Sequence, residues 1–474
     1  MAASLAYLWT DLTYDEAVYL RLARTIAETG LPWRRVYENF GEFRLFANSP
    51  PLVLYVASAS QRLFPGNEIP ARLVQFFVFV APTYVAVWSV ARSSFGPWEA
   101  CASLVALLTL GSYVRDTTNV LLNIPLGLFA LIALLAFYRA ASSTRDARWW
   151  LAALAVAMAL AVWTKYQAVV IPAAMVLYAA YAFAARGYTG VRSMRMPLLT
   201  ATASGALASL ALFGFYWAFT GRQGVASTFA ANANRIDPTS LSGMQIAAAI
   251  IDTARESEQT LGAVALLLAA VAVWVETRHR GLLVVLGSYV AATLLFNLAV
   301  FRLPGAGAAY LDCAVPCLAV LIGPAAVRFV QLGATPSARS LLAAVAVAVQ
   351  LIDGPSAEYE WPRPNGSRVA AAYIAAHCNA TDGVLADTVA VEFYTGRPVR
   401  AMAFTFPKEL LLRSLDGTSH DRIAFVIVSD GPMHRNLKAI QTQWDALLAT
   451  YFELAPVAAP GLRVYQRVHL QPAQ

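Results

Sequence analysis

Stretches of about 20 predominantly apolar residues recur along this chain, and a stretch of that length crosses a bilayer as a helix. Ten are read, at 71–92, 98–114, 119–138, 149–164, 166–185, 197–219, 260–275, 281–301, 308–330 and 338–353. Composition agrees: hydrophobic residues make up 58% of the chain and charged residues 13%, against roughly 25% charged in soluble domains. The pattern predicts a mainly α, polytopic membrane bundle of about ten or eleven spans, with lipid as its main solvent. The net charge of +7 is read as loop bias rather than as a footprint for nucleic acid.

Arginine placement gives a direction. One alternate set of loops holds Arg92, Arg139, Arg145, Arg148, Arg186, Arg192, Arg195, Arg278, Arg280, Arg328 and Arg339, opposed only by Asp146 and Glu276. The other set mixes Arg115, Lys165, Arg222, Arg235, Arg255 and Arg302 with Asp116, Asp237, Asp252, Glu256 and Glu258. The first set is therefore expected in the cytoplasm. Residues 10–70, the 220–259 loop and everything after about 354 are then expected outside. Ala2–Trp9 is too short to span and lacks a basic n-region, so it reads as the last turns of a first span that begins upstream. An Ala- and Arg-rich composition fits a prokaryotic cell membrane.

Four cysteines make no framework. Cys313 and Cys317 sit one helical turn apart in an apolar stretch, and Cys101 and Cys378 are distant. Without a Cys-x-x-Cys or Cys/His cluster, inert buried thiols are expected rather than a zinc site.

The first polar segment carries the chemistry. Thr13-Tyr-Asp15-Glu16 has capping-box spacing, with Thr13 accepting from the Glu16 amide and Glu16 reaching back. An amphipathic helix follows, with Val18, Leu22 and Ile26 on one face and Arg21, Arg24 and Glu28 on the other, stopped at Gly30. Ser49-Pro50-Pro51 starts a second helix over Leu52–Phe64, ended by Pro65-Gly66. Its apolar mass places it in the interface. Two acids at a helix start serve the helix dipole. Beside a lipid-facing helix, a carboxylate there can also take a proton from an acceptor hydroxyl.

Asp15-Glu16-Ala-Val-Tyr-Leu-Arg-Leu-Ala-Arg, Glu28-Thr-Gly30, Ser49-Pro-Pro-Leu52, Phe64-Pro-Gly66 and Ile69-Pro-Ala-Arg72-Leu together resemble the first extracytoplasmic loop of the GT-C glycosyltransferases. More narrowly they resemble family 39, the branch of protein O-mannosyltransferases and lipid A aminoarabinose transferases. The resemblance implies a GT-C bundle over 1–353 and a sugar donor carried on a polyprenyl or dolichyl phosphate. It also implies attack by an acceptor hydroxyl with inversion, for a hexosyl or pentosyl group.

By that likeness Asp15 is the catalytic base or a metal-oriented carboxylate, supported by Glu16. Lys165, in Trp163-Thr-Lys-Tyr166, resembles the family's Thr-Lys element and is expected to bind donor phosphate, with Arg72, Arg115 and Arg302 as further candidates. Pro50, Pro51 and Tyr310 resemble substrate-loop positions. The chain departs from the pattern at Asn123-Ile-Pro125-Leu126, where the family usually carries an acid before Pro-Leu. Asp116 is the nearby substitute, and the change leaves a divalent metal ion an open expectation. Ser49 stands where the family has Lys or His.

Residues 354–474 read as an extracytoplasmic soluble α/β domain. Helices are expected at Arg368–Ala376 and Asn436–Leu448, and strands at Gly383–Ala386, Ile423–Ser429, Tyr451–Ala455 and Arg463–Val468. Asp387, Glu392, His420, Asp430 and His434 have no nucleophile–base spacing and read as surface or turn residues, and the domain as an acceptor-binding or structural cap. The expected partners are a polyprenyl-phosphate-linked sugar, the bilayer, and a protein, lipid or glycan acceptor. The rival readings are a polytopic transporter, which needs broken helices around a central site, and a non-catalytic membrane scaffold.

Overall fold

A computed structural model describes residues 8, 10–38, 41–46, 50–110, 113, 116–117, 119–142, 146–233, 251, 263–276, 279–300, 311–333, 335–337, 339, 366–379, 382–386, 388–397, 400–401, 415, 423–429 and 441–468. In chain order the first elements are α1 (Tyr14–Thr29), β1 (Trp33–Glu38), β2 (Gly41–Phe46) and α2 (Leu52–Leu63). Then comes a continuous helix α3 (Glu68–Ser94) whose middle, Phe76–Val80, is π-helical. Next are α4 (Pro97–Thr109), α5 (Asn123–Ser142), α6 (Ala147–Thr164), α7 (Val170–Arg192), α8 (Arg195–Ala233), α9 (Ala263–Val275), α10 (Arg280–Val300) and α11 (Val315–Gln331). The tail holds α12 (Gly366–His377), β3 (Gly383–Ala386), α13 (Ala390–Thr395), β4 (Arg400–Ala401), β5 (Ile423–Ser429), α14 (Gln441–Tyr451), β6 (Phe452–Leu454) and β7 (Leu462–Arg467).

Among the described residues seven helices are long and apolar enough to cross a membrane, and the chain is a multi-pass membrane protein. They match the expected spans near 71–92, 119–138, 149–164, 166–185, 197–219, 281–301 and 308–330. The stretch read as 98–114 is shorter, because Leu110 turns extended (φ −75°, ψ 96°) and ends α4. The 260–275 stretch is helical over Ala263–Val275, and 338–353 lies outside the described residues apart from residue 339. The 220–259 segment, expected as a loop, begins as helix: α8 runs on to Ala233.

The chain divides into two compact units. One comprises Met1–Ala47, Leu54–Val74 and Glu360–Gln474; the other comprises Asn48–Val53 and Gln75–Tyr359. Most of the expected first loop thus shares a unit with the C-terminal domain.

In the first unit, α1 forms as its caps dictate. Thr13 Oγ1 accepts from the Glu16 amide at 3.3 Å, and Gly30 closes the helix in the left-handed region at φ 80°. Leu22 and Ile26 pack on Leu54 of α2, with Val18, Tyr19 and Tyr55 around them. A β1–β2 hairpin, absent from the sequence reading, joins the helices in antiparallel register from Trp33↔Phe46 to Glu38↔Gly41. The tail domain is a five-stranded sheet in the order β4-β3-β5-β7-β6. Its parallel half is β4, β3 and β5; β7 and β6 add antiparallel. Apolar residues line both faces. Ala370 and Ile374 of α12 cover one with Phe425 and Ile427, while Trp444 and Leu448 of α14 cover the other with Val426 and Val428.

The tail and α1 meet through charges placed at helix ends. Arg21 and Arg24 donate to the carbonyls of Gly396 and Phe393 at the C-terminus of α13, where cations offset the helix dipole. Asp11 accepts from both the amide (3.1 Å) and hydroxyl (2.8 Å) of Ser367 at the N-terminus of α12. Burial pushes the Asp11 carboxyl up despite those bonds. Glu392, read from sequence as a surface residue, is buried and lies 3.6 Å from Arg21. Asp387, His420, Asp430 and His434 lie outside the described residues.

In the second unit glycines set close helix contacts. A Cβ at Gly323 of α11 would run into Ser103 Oγ and the Glu99 carbonyl of α4. Backbone cannot yield as a flexible side chain can, so Gly323→Ala is expected to cost about 1–3 kcal/mol. Thermal unfolding of the detergent-purified protein checks this; an unchanged midpoint would show that the α4–α11 contact gives way freely.

Candidate functional site

The Asp15-Glu16 pair is split by its place in the first turn of α1. Asp15 is exposed, whereas Glu16 is 0% exposed. Glu16 meets Arg72 of α3 in a two-pronged ion pair, with Nε to Oε1 at 2.8 Å and Nη2 to Oε2 at 2.7 Å. Arg72 also donates through Nη1 to the carbonyls of Leu8 (2.8 Å) and Thr10 (3.0 Å), and through Nη2 to that of Asp11 (3.5 Å). A guanidinium has five N–H donors, and these contacts engage all five.

Two expectations change accordingly. Arg72 has no donor left for a donor phosphate; it ties α3, α1 and the segment before α1 together. Glu16 turns its carboxylate to Arg72 and fastens the first turn of α1, which also carries Asp15. Around it Glu68, 1% exposed, takes Arg368 of α12 at 2.5 Å. The turn bearing Asp15 is therefore fastened by Arg72, Ser367 and Arg368 within one unit.

The second unit holds the remaining described candidates. α6 ends because Lys165 is extended (φ −159°, ψ 142°), and a 3-10 turn, Tyr166–Val169, leads into α7. Lys165 Nζ donates to Asn123 Oδ1 at the first residue of α5. Asp116, 3% exposed, accepts from Asn119 at 3.4 Å. Pro50 and Pro51 are buried just before α2. Arg115, Arg302 and Tyr310 lie outside the described residues.

Lys165 lies on the wall of a groove of about 330 Å³ between α6, the 3-10 turn, α7 and α8. Met158, Val162, Val169, Pro172, Leu212 and Phe213 make it apolar. An ammonium on the wall of an apolar slot suits an amphiphile with an anionic head. The groove came from no sequence motif; only its lysine was visible.

Asp312 was missed from the sequence. It is 0% exposed and opens a 3-10 turn, Asp312–Ala314, leading into α11. Its signal was available, as an acid in an otherwise apolar span is a functional candidate by default. Among the described residues no group of three His, Cys, Asp or Glu side chains could hold a divalent ion.

The chain is similar to known proteins in sequence family and in fold. Residues 48–217 match the family model described as dolichyl-phosphate-mannose-protein mannosyltransferase. A search of curated proteins found no match. Among solved structures, ArnT from Cupriavidus metallidurans in the apo state aligns with TM-score 0.62 at 16% identity, over 98% of this chain and 95% of that one. The same protein bound to undecaprenyl phosphate aligns with TM-score 0.63 at 15% identity over the same shares. The archaeal oligosaccharyltransferase AglB from Archaeoglobus fulgidus, in complex with an inhibitory peptide and a dolichol-phosphate, aligns with TM-score 0.58 at 12% identity, over 97% of this chain and 73% of that one. The expected helical bundle with its small mixed sheet is thus a GT-C-like membrane fold, shared with these solved structures.

Proposed function

We propose that the chain transfers a hexosyl or pentosyl group from a polyprenyl-phosphate carrier to an acceptor hydroxyl, with inversion, on the extracytoplasmic face of a prokaryotic cell membrane. The observation that carries this reading is Lys165 on the wall of its apolar groove, the combination of charge and shape that an isoprenoid phosphate requires. Undecaprenyl phosphate in one structural neighbour and dolichol-phosphate in another support the same donor class. The arginine-poor loops support the extracytoplasmic face, with the C-terminal domain on that side.

In this reading the acceptor oxygen attacks the anomeric carbon, and the bond from that carbon to the phosphate oxygen breaks. The hydroxyl proton passes to Asp15. The lipid phosphate leaves as an anion, which Lys165 stabilises as charge develops. Asn123 holds the ammonium in place, and Glu16 with Arg72 holds the turn that carries Asp15. Asp116 stays a candidate second acid at the α5 entrance. The acceptor is a protein, lipid or glycan hydroxyl.

Lys165→Met retains the apolar stem and removes the charge. It is expected to weaken undecaprenyl phosphate binding by about 10–100-fold, the worth of a hydrogen bond to a charged group. Titration of the purified protein with that lipid checks this; equal affinity in the variant would remove the groove from the mechanism. The face is tested separately with a C-terminal tag. External protease is expected to cleave it from intact cells, and full protection would reverse the orientation.

A further inference from the structure

Asp312 has no part in the reaction just described, yet it is a completely buried carboxylate at the head of a span. An acid in such a place is costly unless charge or hydrogen bonds offset it. Its surroundings point to the offset. The Asp312–Ala314 turn is pressed against α5: a Cβ at Gly127 would come within 2.9 Å of the Cys313 carbonyl and 3.1 Å of the Pro316 ring. Gly127 lies about one helical turn beyond Asn123, and Asn123 is the side chain that Lys165 touches. The Cys313 thiol, adjacent to Asp312, lies within electrostatic reach of Lys165 as well. The half-buried lysine contact and the buried acid therefore lie along one seam between α5 and the start of α11. Tyr113 lies within reach of Asp312, Tyr289 and Cys317 lie beside Cys313, and all three are buried; Asp116 is buried a few residues before Asn123.

We propose that Asp312 is the counter-charge of Lys165, keeping the ammonium charged and directed before and during capture of a polyprenyl phosphate. It is a positioning residue, since it acts on the lipid phosphate through Lys165. Asn123 is neutral and orients the ammonium by its carbonyl oxygen, and a carboxylate across the seam adds the balancing charge. Gly127 is what lets that carboxylate come close, because any larger residue there would push the Asp312 turn away from α5.

This inference rests on Lys165 as the phosphate-binding residue, and the test separates the two. Full-length wild type, Asp312→Asn and the double variant Asp312→Asn/Asn123→Asp are purified in detergent and titrated with undecaprenyl phosphate. Asp312→Asn is expected to bind at least about tenfold more weakly, as a buried charge left without its partner is poorly tolerated. The double variant, which puts a carboxylate on the side chain Lys165 already contacts, is expected to recover most of the affinity. A merely structural role for Asp312 would not be rescued from position 123. Equal binding by Asp312→Asn, or weak binding that the double variant does not restore, overturns the proposal. If Asp312→Asn is recovered unfolded, a folded and binding double variant supports it, and an unfolded or non-binding one overturns it. Failure of the wild type itself to bind the lipid would instead remove the proposed function on which this role depends.

Discussion

Asp15→Asn is expected to lower sugar transfer by about 10²–10⁴-fold, the usual worth of a positioned general base, while the protein stays folded and inserted. The amide has almost the same shape, so it keeps the exposed position at the start of α1. Its cost to stability is limited to a lost anion at a helix N-terminus, about 0.3–1 kcal/mol. Transfer and thermal unfolding therefore come apart in this variant. Rates from labelled donor and melting curves on the same preparation measure both. Near-normal turnover would take Asp15 out of the reaction, and a collapse in stability would make it a capping residue.

The opposite pattern is expected at Arg72. Arg72→Met leaves the Glu16 carboxylate buried without its cation and strips the carbonyls of Leu8, Thr10 and Asp11 of a donor. Breaking a buried pair in this way costs about 3–5 kcal/mol. Glu16→Gln is expected to cost less, because the guanidinium keeps its three carbonyl acceptors and the amide oxygen can still accept. Both variants should lose activity at least in proportion to folded protein, since the pair holds the turn that carries Asp15. Unfolding midpoints rank the three proteins. Arg72→Met with a wild-type midpoint but no donor binding would return Arg72 to the phosphate site.

These two residues also show where sequence reasoning stops. The start and stop of α1 were legible because Thr13, Glu16 and Gly30 act locally. So were most spans and four of the five strands of the tail domain, where apolar runs are long or regularly placed; the two-residue β4 was too short to read. The partnership of Glu16 was not legible: Thr13 and Glu16 have the spacing of a capping box, but the carboxylate goes to an arginine 56 positions away. Local spacing cannot report a competitor that arrives through tertiary packing. The hairpin Trp33–Phe46 was hidden among charged residues that blur period-two alternation. α8 outran its apolar stretch because helix propensity continued where hydropathy fell. Glu392 was misplaced for a related reason, as its cation, Arg21, comes from α1. Asp312 was missed although it is an acid in an apolar stretch, and the packing of its turn against Gly127 of α5 joins segments far apart in the chain.

The central claim is an Asp15-dependent transfer of sugar from a lipid phosphate. The most direct measurement is release of undecaprenyl phosphate from its radiolabelled sugar conjugate, using purified protein in vesicles supplied with a membrane extract as acceptor source. The account predicts steady release with the unaltered chain and almost none with Asp15→Asn. Equal release by both, or none by either while the lipid is demonstrably bound, contradicts it.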